Sequence, residues 1–419
     1  MHDSHIWRPD RPPLQIRAHS LAKHRALDGY LRRYVAAYTQ STQARHLSLT
    51  IVEGFAGGNL YTEESTENLR QGSPGVILDA LRDASREVQA RRTTTFHFAD
   101  RYFFIEKNQD AFACLKKTLL ESEHSLRVGR EIELINDTFA NSLPRVLEAI
   151  RARPGKGRAL FILDQCGYKD VPCELIAIIL RAFSNAEIIL TFAFDFLANY
   201  ISAASNTQSL QNATGLDLAS LQHVDKSDIR WRFIMQKILS DDLTAKTNAR
   251  FYTPFFIRSV DSNRDLWLVH LSQHVKARDE MGELHWDLQT RAAHYGRPGT
   301  NMLGFDPGKT DLDQVPRLPT FGFDELAYQD SVEALCEELP KRLRDDFGNI
   351  SFIDVFSRLA NETPATRRIF KQALHELHRR GAVVFRDSTG LKIRKSKVQD
   401  DEDIIIIPSH KATLLPFRS

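Results

Sequence analysis

Leu49-Thr50-Ile51-Val52-Glu53-Gly54-Phe55-Ala56-Gly57-Gly58 is the stretch on which the fold turns. Apolar and β-branched residues run uninterrupted into an acid, and a turn of small residues follows. A strand of this kind is buried on both faces, as in a parallel sheet covered by helices. Without a Cβ at Gly57 and Gly58, a ligand can come close to the backbone. The spacing is not Gly-x-Gly-x-x-Gly, so a dinucleotide site is disfavoured. Taken alone, the turn also suits an ordinary tight strand–helix connection.

The same alternation continues outward. Strands are predicted at 102–106, 132–136, 159–164 and 187–193, and helices near 76–90, 109–121, 141–152 and 172–184. Upstream, 14–40 reads as a helix with Leu21, Leu27, Tyr30, Leu31 and Tyr34 near one face. Residues 60–75 read as loop closing on Gly72-Ser73-Pro74-Gly75, and 195–250 as helical and mixed. Two further strands at 251–259 and 266–272 form an antiparallel pair that closes the sheet. The fold class is α/β.

In such sheets ligands bind at the carboxyl ends of the strands. The first four strands each end in an acid: Glu53, Glu106, Asp137 after Asn136, and Asp164. An acid at the second position can accept hydrogen bonds from ribose hydroxyls. One at the third can take an adenine amino group. Any single one of them reads equally well as a solvated strand-end carboxylate; four in succession do not.

Composition narrows the classes further. A net charge of +2 over 419 residues does not by itself announce a nucleic-acid partner, so local charge must decide. The polar start of the chain has no apolar signal core, and no run reaches a membrane span, which points to a cytoplasmic protein. Cys114, Cys166, Cys173 and Cys336 form no CxxC pair and read as reduced thiols. Cys166 in a strand-end loop and Cys173 at a helix start invite a nucleophile reading, but no histidine lies nearby in sequence as a base. No His-Glu-x-x-His pair suggests a metal.

Glycines and prolines from Gly296 to Pro319 mark 294–325 as a linker. The expected organisation is an N-terminal helical segment (1–45), the sheet domain (46–293), the linker and a second domain (326–419). The second domain reads as a winged helix. Phe352, Val355, Phe356 and Leu359 share one helical face, Thr363-Pro364 starts the next helix, and Ile369, Phe370, Ala373, Leu374 and Leu377 form its buried stripe. Gly381 ends it, a hairpin spans 383–394, and 404–407 returns to pair with the hairpin. Residues 365–397 carry a local charge of +8. Arg367, Arg368, Lys371, Arg379, Arg380 and Lys392 are the candidate nucleic-acid contacts, with a protein-contacting winged helix as the alternative.

In order, Lys23-His24, Glu53 to Gly58, Gly72-Ser73-Pro74, Phe104-Ile105-Glu106, Asn136-Asp137 and Asp164-Gln165-Cys166-Gly167-Tyr168 resemble the three-Cys-motif partner proteins (TcmP), S-adenosylmethionine (SAM) methyltransferase-like proteins of bacteria. The resemblance covers about 14 to 290 and includes Leu268-Val269-His270-Leu271-Ser272, Met281 and Trp286. The layout is also similar to adenine-N6 methyltransferases of ribosomal RNA. These resemblances imply a Rossmann-like class I methyltransferase sheet with SAM as cofactor. They imply that Lys23, His24, Glu53, Phe55, Ala56, Gly57, Gly58, Ser73, Pro74, Glu106, Asp137 and Asp164 line the cofactor site. Asp164 would orient an acceptor amine and Tyr168 would stack on a base. The family context further implies a radical-SAM-type three-Cys-motif protein as partner and a mobile-element or defence setting.

This sequence departs from the family where Gln165 and Cys166 replace the stiffening residues after the acid, and where Asn59 replaces a glycine. Two functions therefore stand side by side. One is a methyltransferase acting on nucleic acid. The other is a catalytically degenerate SAM- or nucleotide-binding adaptor or sensor with a nucleic-acid-binding winged helix.

Overall fold

A computed structural model describes residues 7–63, 66, 68–153, 157–165, 170–192, 211–212, 214–216, 231–258, 265–288, 292–295, 320–321, 323–394, 397–398 and 400–408. The chain divides into two compact units, 1–294 with 305–323 and 295–304 with 324–419.

In the first unit, β1 (His46–Glu53), β2 (His97–Ile105), β3 (Ile132–Ile135), β4 (Ala159–Leu163) and β5 (Ala186–Phe192) run parallel. β6 (Phe251–Arg258) and β7 (Asp265–Ser272) form the expected antiparallel pair. The order is β3-β2-β1-β4-β5-β7-β6, with Ala292–Tyr295 and Thr320–Phe321 added beyond β6. A dinucleotide sheet would read 3-2-1-4-5-6. Here β7 is inserted between β5 and β6 and opposes both, which makes this the Rossmann-like class I methyltransferase sheet.

β1 is central, and every residue from Leu47 to Glu53 is buried. Its register sets Glu53 opposite Phe104 of β2 and Ile162 of β4. Glu106 and Asp164, each two residues further on, therefore emerge at the same edge. Strand order reverses between β1 and β4, so a crevice opens there.

Helices α1 (Ala18–Tyr38), α2 (Ser73–Ala90), α3 (Gln109–Leu120), α4 (Phe139–Arg151) and α5 (Cys173–Ala182) alternate with the strands. α6 (Trp231–Thr247) precedes β6 and α7 (Val275–Leu288) follows β7. α1 buries Ala26, Leu27, Tyr30, Leu31, Tyr34 and Val35 at helical spacing and packs against α2 and α7. Beneath it lies a buried polar cluster. Tyr30 Oη donates to Glu187, and His270 Nε2 lies 3.0 Å from Glu187 Oε2 and 3.1 Å from Tyr30 Oη.

The stretch expected as loop at 60–75 contains two short strands, Leu60–Thr62 and Leu69–Gln71. Leu14–Gln15 pairs in parallel with the first of them, so the chain before α1 is fastened to the segment after the glycine turn. Trp7 Nε1 donates to Leu60 O at 3.1 Å and continues this attachment. α2 also begins earlier than expected, at Ser73, with Pro74 in its first turn, where a missing N–H costs nothing. At 294–325, Thr320–Phe321 joins the sheet edge and Glu325 already opens a helix, while 296–319 lies outside the described residues.

The second unit has α8 (Glu325–Arg342), the strand Ile350–Ser351, α9 (Phe352–Leu359), α10 (Arg367–Arg379) and the strands Val384–Arg386, Ile393–Arg394 and Ile404–Ile406. This is a winged helix. Ile404–Ile406 sits between Ile350–Ser351 and the hairpin. Thr366, not Thr363, takes the N-cap position of α10, without a capping bond from its hydroxyl. Thr363 is buried, and its hydroxyl instead accepts from Ala365 N at 3.1 Å, which delays the helix by one turn. Among the described residues no helix is long and apolar enough to cross a membrane.

Candidate functional site

The glycine turn forms as its residue types demand. Gly57 and Asn59 both take left-handed backbone, at φ 61° and 62°. Asn is among the few non-glycine residues that adopt this conformation readily. Asn59 also does what a glycine could not: its Oδ1 accepts from Gly75 N at 2.8 Å and ties the turn to the start of α2. The Glu106 carboxylate holds the other side, accepting from Gly57 N at 2.9 Å and Asn108 N at 2.7 Å.

At the end of β1, Glu53 is fully buried and accepts from the Ser73 hydroxyl, while its Oε2 has no hydrogen-bond partner. Burial pushes this carboxyl well above the usual range. The Ser73 bond and the Lys23 charge oppose the shift, and the charges on Asp164 and Glu106 add to it. At the end of β4 the balance is reversed. Burial raises Asp164 too, but the charge and hydrogen bond of Lys23, a hydrogen bond from Thr191 and the His24 charge together hold it below the ordinary range. Neighbouring acids are thus driven apart, one toward the neutral form and one fixed as carboxylate, the arrangement by which a site divides donor and acceptor roles.

Lys23 and His24 project from α1 and, with Asp164, Thr191 and Ser73, line a small, partly open cavity of about 30 Å³ whose apolar side is Ile162, Ile189, Leu268 and Met281. Burial, followed by the Lys23 charge, lowers His24 to about 4, and Asp164 opposes the shift. The unfolded chain then holds a proton that the native protein lacks between about pH 6.5 and pH 4. His24 contributes stability that is fully present above pH 6.5 and is lost as the pH falls toward 4, up to about 3 kcal/mol. Urea unfolding at pH 7.5 and 4.5 should show this loss in the wild type and a smaller one in His24→Gln. Equal losses in both would show that His24 does not carry it.

Other expected residues are placed less centrally. Ala56 is buried and its N–H bonds Ile105 O at 3.0 Å, and Phe55 lies 6.3 Å from Phe139 between ring centres. Asp137 is exposed, with its Oδ1 accepting from Thr138 N at 2.6 Å and Asn141 Nδ2 at 2.9 Å, so it serves the start of α4. Cys166 and Tyr168 lie outside the described residues. Gln165 is buried with neither amide atom bonded. Burial pushes the Cys173 thiol up to about 12, contrary to the lowering expected of a helix start. Asp79, Glu123 and His124 group closely enough for a cation, but Arg82 already pairs with both acids, with Asp79 at 2.8 Å.

Sequence reasoning missed Thr191, an ordinary β-branched strand residue by pattern, and Trp7. The indole of Trp7 lies on the glycine turn. A Cβ at Gly57 would meet its Cη2 at 2.9 Å, and one at Gly58 its Cδ1 at 2.3 Å. What approaches the turn closely in this structure is Trp7. A tryptophan in an otherwise polar tail was the only available signal.

On the winged helix, Arg368 and Arg379 are exposed and Lys371 is half-buried. Arg368 lies over the Tyr328 ring at 5.0 Å, and Arg379 pairs with Glu376 at 3.0 Å. Arg380 is exposed at the end of α10, and Lys392 is exposed between the exposed Leu391 and Ile393 of the wing.

Residues 304–390 match the family model described as a GMT-like wHTH domain. None of the curated proteins matches this sequence. Similar solved structures include Trm1 from Pyrococcus horikoshii with S-adenosyl-L-methionine, at 13% identity, covering 79% of this chain and 75% of that one, with a TM-score of 0.35. A Legionella pneumophila protein shares 12% identity over 60% of this chain and 85% of its own, with a TM-score of 0.34. A SAM-dependent methyltransferase from Agrobacterium tumefaciens shares 9% over 62% and 63%, with a TM-score of 0.32. These overlaps are partial.

Proposed function

We propose that the chain is a SAM-dependent methyltransferase acting on nucleic acid, with adenine N6 as the acceptor atom. The observation that carries this reading is the convergence of Glu53, Glu106 and Asp164 on one crevice at the strand-order reversal, with Asp164 held ionised by Lys23 and Thr191. The residues present suit the cofactor. Glu106, whose oxygens accept from Gly57 N and Asn108 N, is assigned to the ribose hydroxyls through its remaining lone pairs, and the unpartnered Oε2 of buried Glu53 is a polar atom that a ligand can satisfy. When bound, SAM supplies an electrophilic methyl group. Asp164 accepts a hydrogen bond from the acceptor amine and aims its lone pair. Ile162, Ile189 and Leu268 form an apolar wall beside the carboxylate, which itself stays partly exposed. Tyr168 stacks on the base, which reaches the site flipped from its helix or in a single strand. The winged helix delivers the substrate through Arg368, Arg379, Arg380 and Lys392. The resemblance to the three-Cys-motif partner proteins supports this reading and a companion protein of radical-SAM type.

Calorimetry with SAM and S-adenosylhomocysteine is the direct test, with micromolar binding of both expected, equivalent to about −8 kcal/mol. Binding of neither would remove the cofactor from the account. A second reading, a SAM-binding sensor without transfer, draws on the engagement of Asp164 by Lys23 and on the buried, unbonded Gln165 amide beside it.

A further inference from the structure

The basic face of the winged helix meets an acid-rich turn that follows the wing. Asp401 ion-pairs with Arg367 at the start of α10 and lies 3.9 Å from Lys371 Nζ. Asp400 and Asp403 hold Arg394 of the wing strand, with Nη2 at 2.8 and 2.9 Å. The turn is pinned to the first turn of α9: Phe352 N donates to Asp403 O and Ile353 N to Asp401 O, both at 2.9 Å. The four acids from Asp400 to Asp403 reduce the local charge from +8 over 365–397 to +4 over 365–403.

Carboxylates and phosphodiesters make the same demand on guanidinium and ammonium groups. We propose that Asp401 stands where a backbone phosphate binds. Arg367 and Lys371 mark the phosphate track of this winged helix, and a nucleic-acid duplex occupies it by displacing the Asp401 side chain. The proposal rests on the nucleic-acid reading above. Asp403 is fully buried and belongs to the framework, whereas the Asp401 side chain is 39% exposed, so the exchange needs only one side chain to leave. Arg367 and Lys371 also lie over the Phe352 ring, at 6.0 and 5.1 Å, which keeps both cations oriented once the carboxylate has gone.

Asp401→Asn in the full chain keeps the side-chain shape and removes the charge. Anisotropy titrations with mixed-sequence DNA and RNA duplexes should show about three- to tenfold tighter binding than wild type on at least one of them. The fall of affinity with salt should be steeper by about one counter-ion for each cation released. Lys371→Gln, which leaves the turn intact, should weaken binding more in the Asp401→Asn background than in wild type. Glu402→Gln removes the same charge one residue on, from an exposed side chain, and should change little. Unchanged affinity and salt slope in Asp401→Asn, or an equal gain in Glu402→Gln, overturn this proposal alone. If neither wild type nor variant binds either duplex, the nucleic-acid reading falls and this proposal with it.

Discussion

Asp164→Ala is expected to lower methyl transfer at least about a hundredfold while leaving SAM bound, because loss of an orienting group costs on that scale. Asp164 is the ionised member of the site: Lys23 and Thr191 keep its carboxylate charged despite burial. Alanine removes the acceptor that would align the substrate amine and leaves Lys23 facing the cavity without its counter-ion. Glu53 cannot substitute, since its burial favours the neutral form and the Ser73 hydroxyl occupies Oε1. Tritiated-methyl transfer from SAM to mixed cellular DNA and RNA reads the effect. Calorimetry on the same variant separates lost chemistry from lost cofactor. Equal labelling by wild type and variant would take Asp164 out of the mechanism.

Glu187→Ala should destabilise the sheet domain by roughly 3 kcal/mol, the sum expected for two buried hydrogen bonds and the cavity left behind. Glu187 at the start of β5 takes the Tyr30 hydroxyl from α1 and approaches His270 on β7, so one side chain joins a helix and two strands in the dry core. Burial, reinforced by Glu187, raises the Tyr30 hydroxyl well above its usual range and keeps it a donor. Tyr34 is raised by the same causes, and Arg158 lies 4.2 Å over the Tyr38 ring at the far end of α1. Glu187→Gln keeps the volume and an acceptor and should cost less than half as much. Urea unfolding at neutral pH compares the three proteins. A loss below about 1 kcal/mol for the alanine variant would mean that Tyr30 and His270, 3.1 Å apart, satisfy one another without it.

The strands were legible because central parallel strands are written as unbroken apolar runs. Their lower ends were not. β2 starts at His97, five residues before the apolar run, because backbone pairing with His46 to Thr50 asks nothing of side chains there. The small sheet of Leu14–Gln15 with Leu60–Thr62, and the turn of Asp400 to Asp403 against α10, are contacts between distant segments, for which no local periodicity exists. The strand-end acids were visible for the same reason as the strands. Their tuning was not, since whether a carboxylate is charged depends on Lys23, Ser73 and Thr191, brought from three other elements. Asp137 shows the converse: the residue type suits a ligand, but it lies exposed and its Oδ1 serves the start of α4.

The indole lying on the glycine turn limits substitution there. At Gly58 an added methyl would sit 2.3 Å from Trp7 Cδ1, so this position, unlike the left-handed Gly57, is constrained from outside the turn. A side chain can enter at 58 only if the ring at 7 shrinks or withdraws. The two positions are sterically coupled, so what the turn tolerates is set in part by the tail before α1.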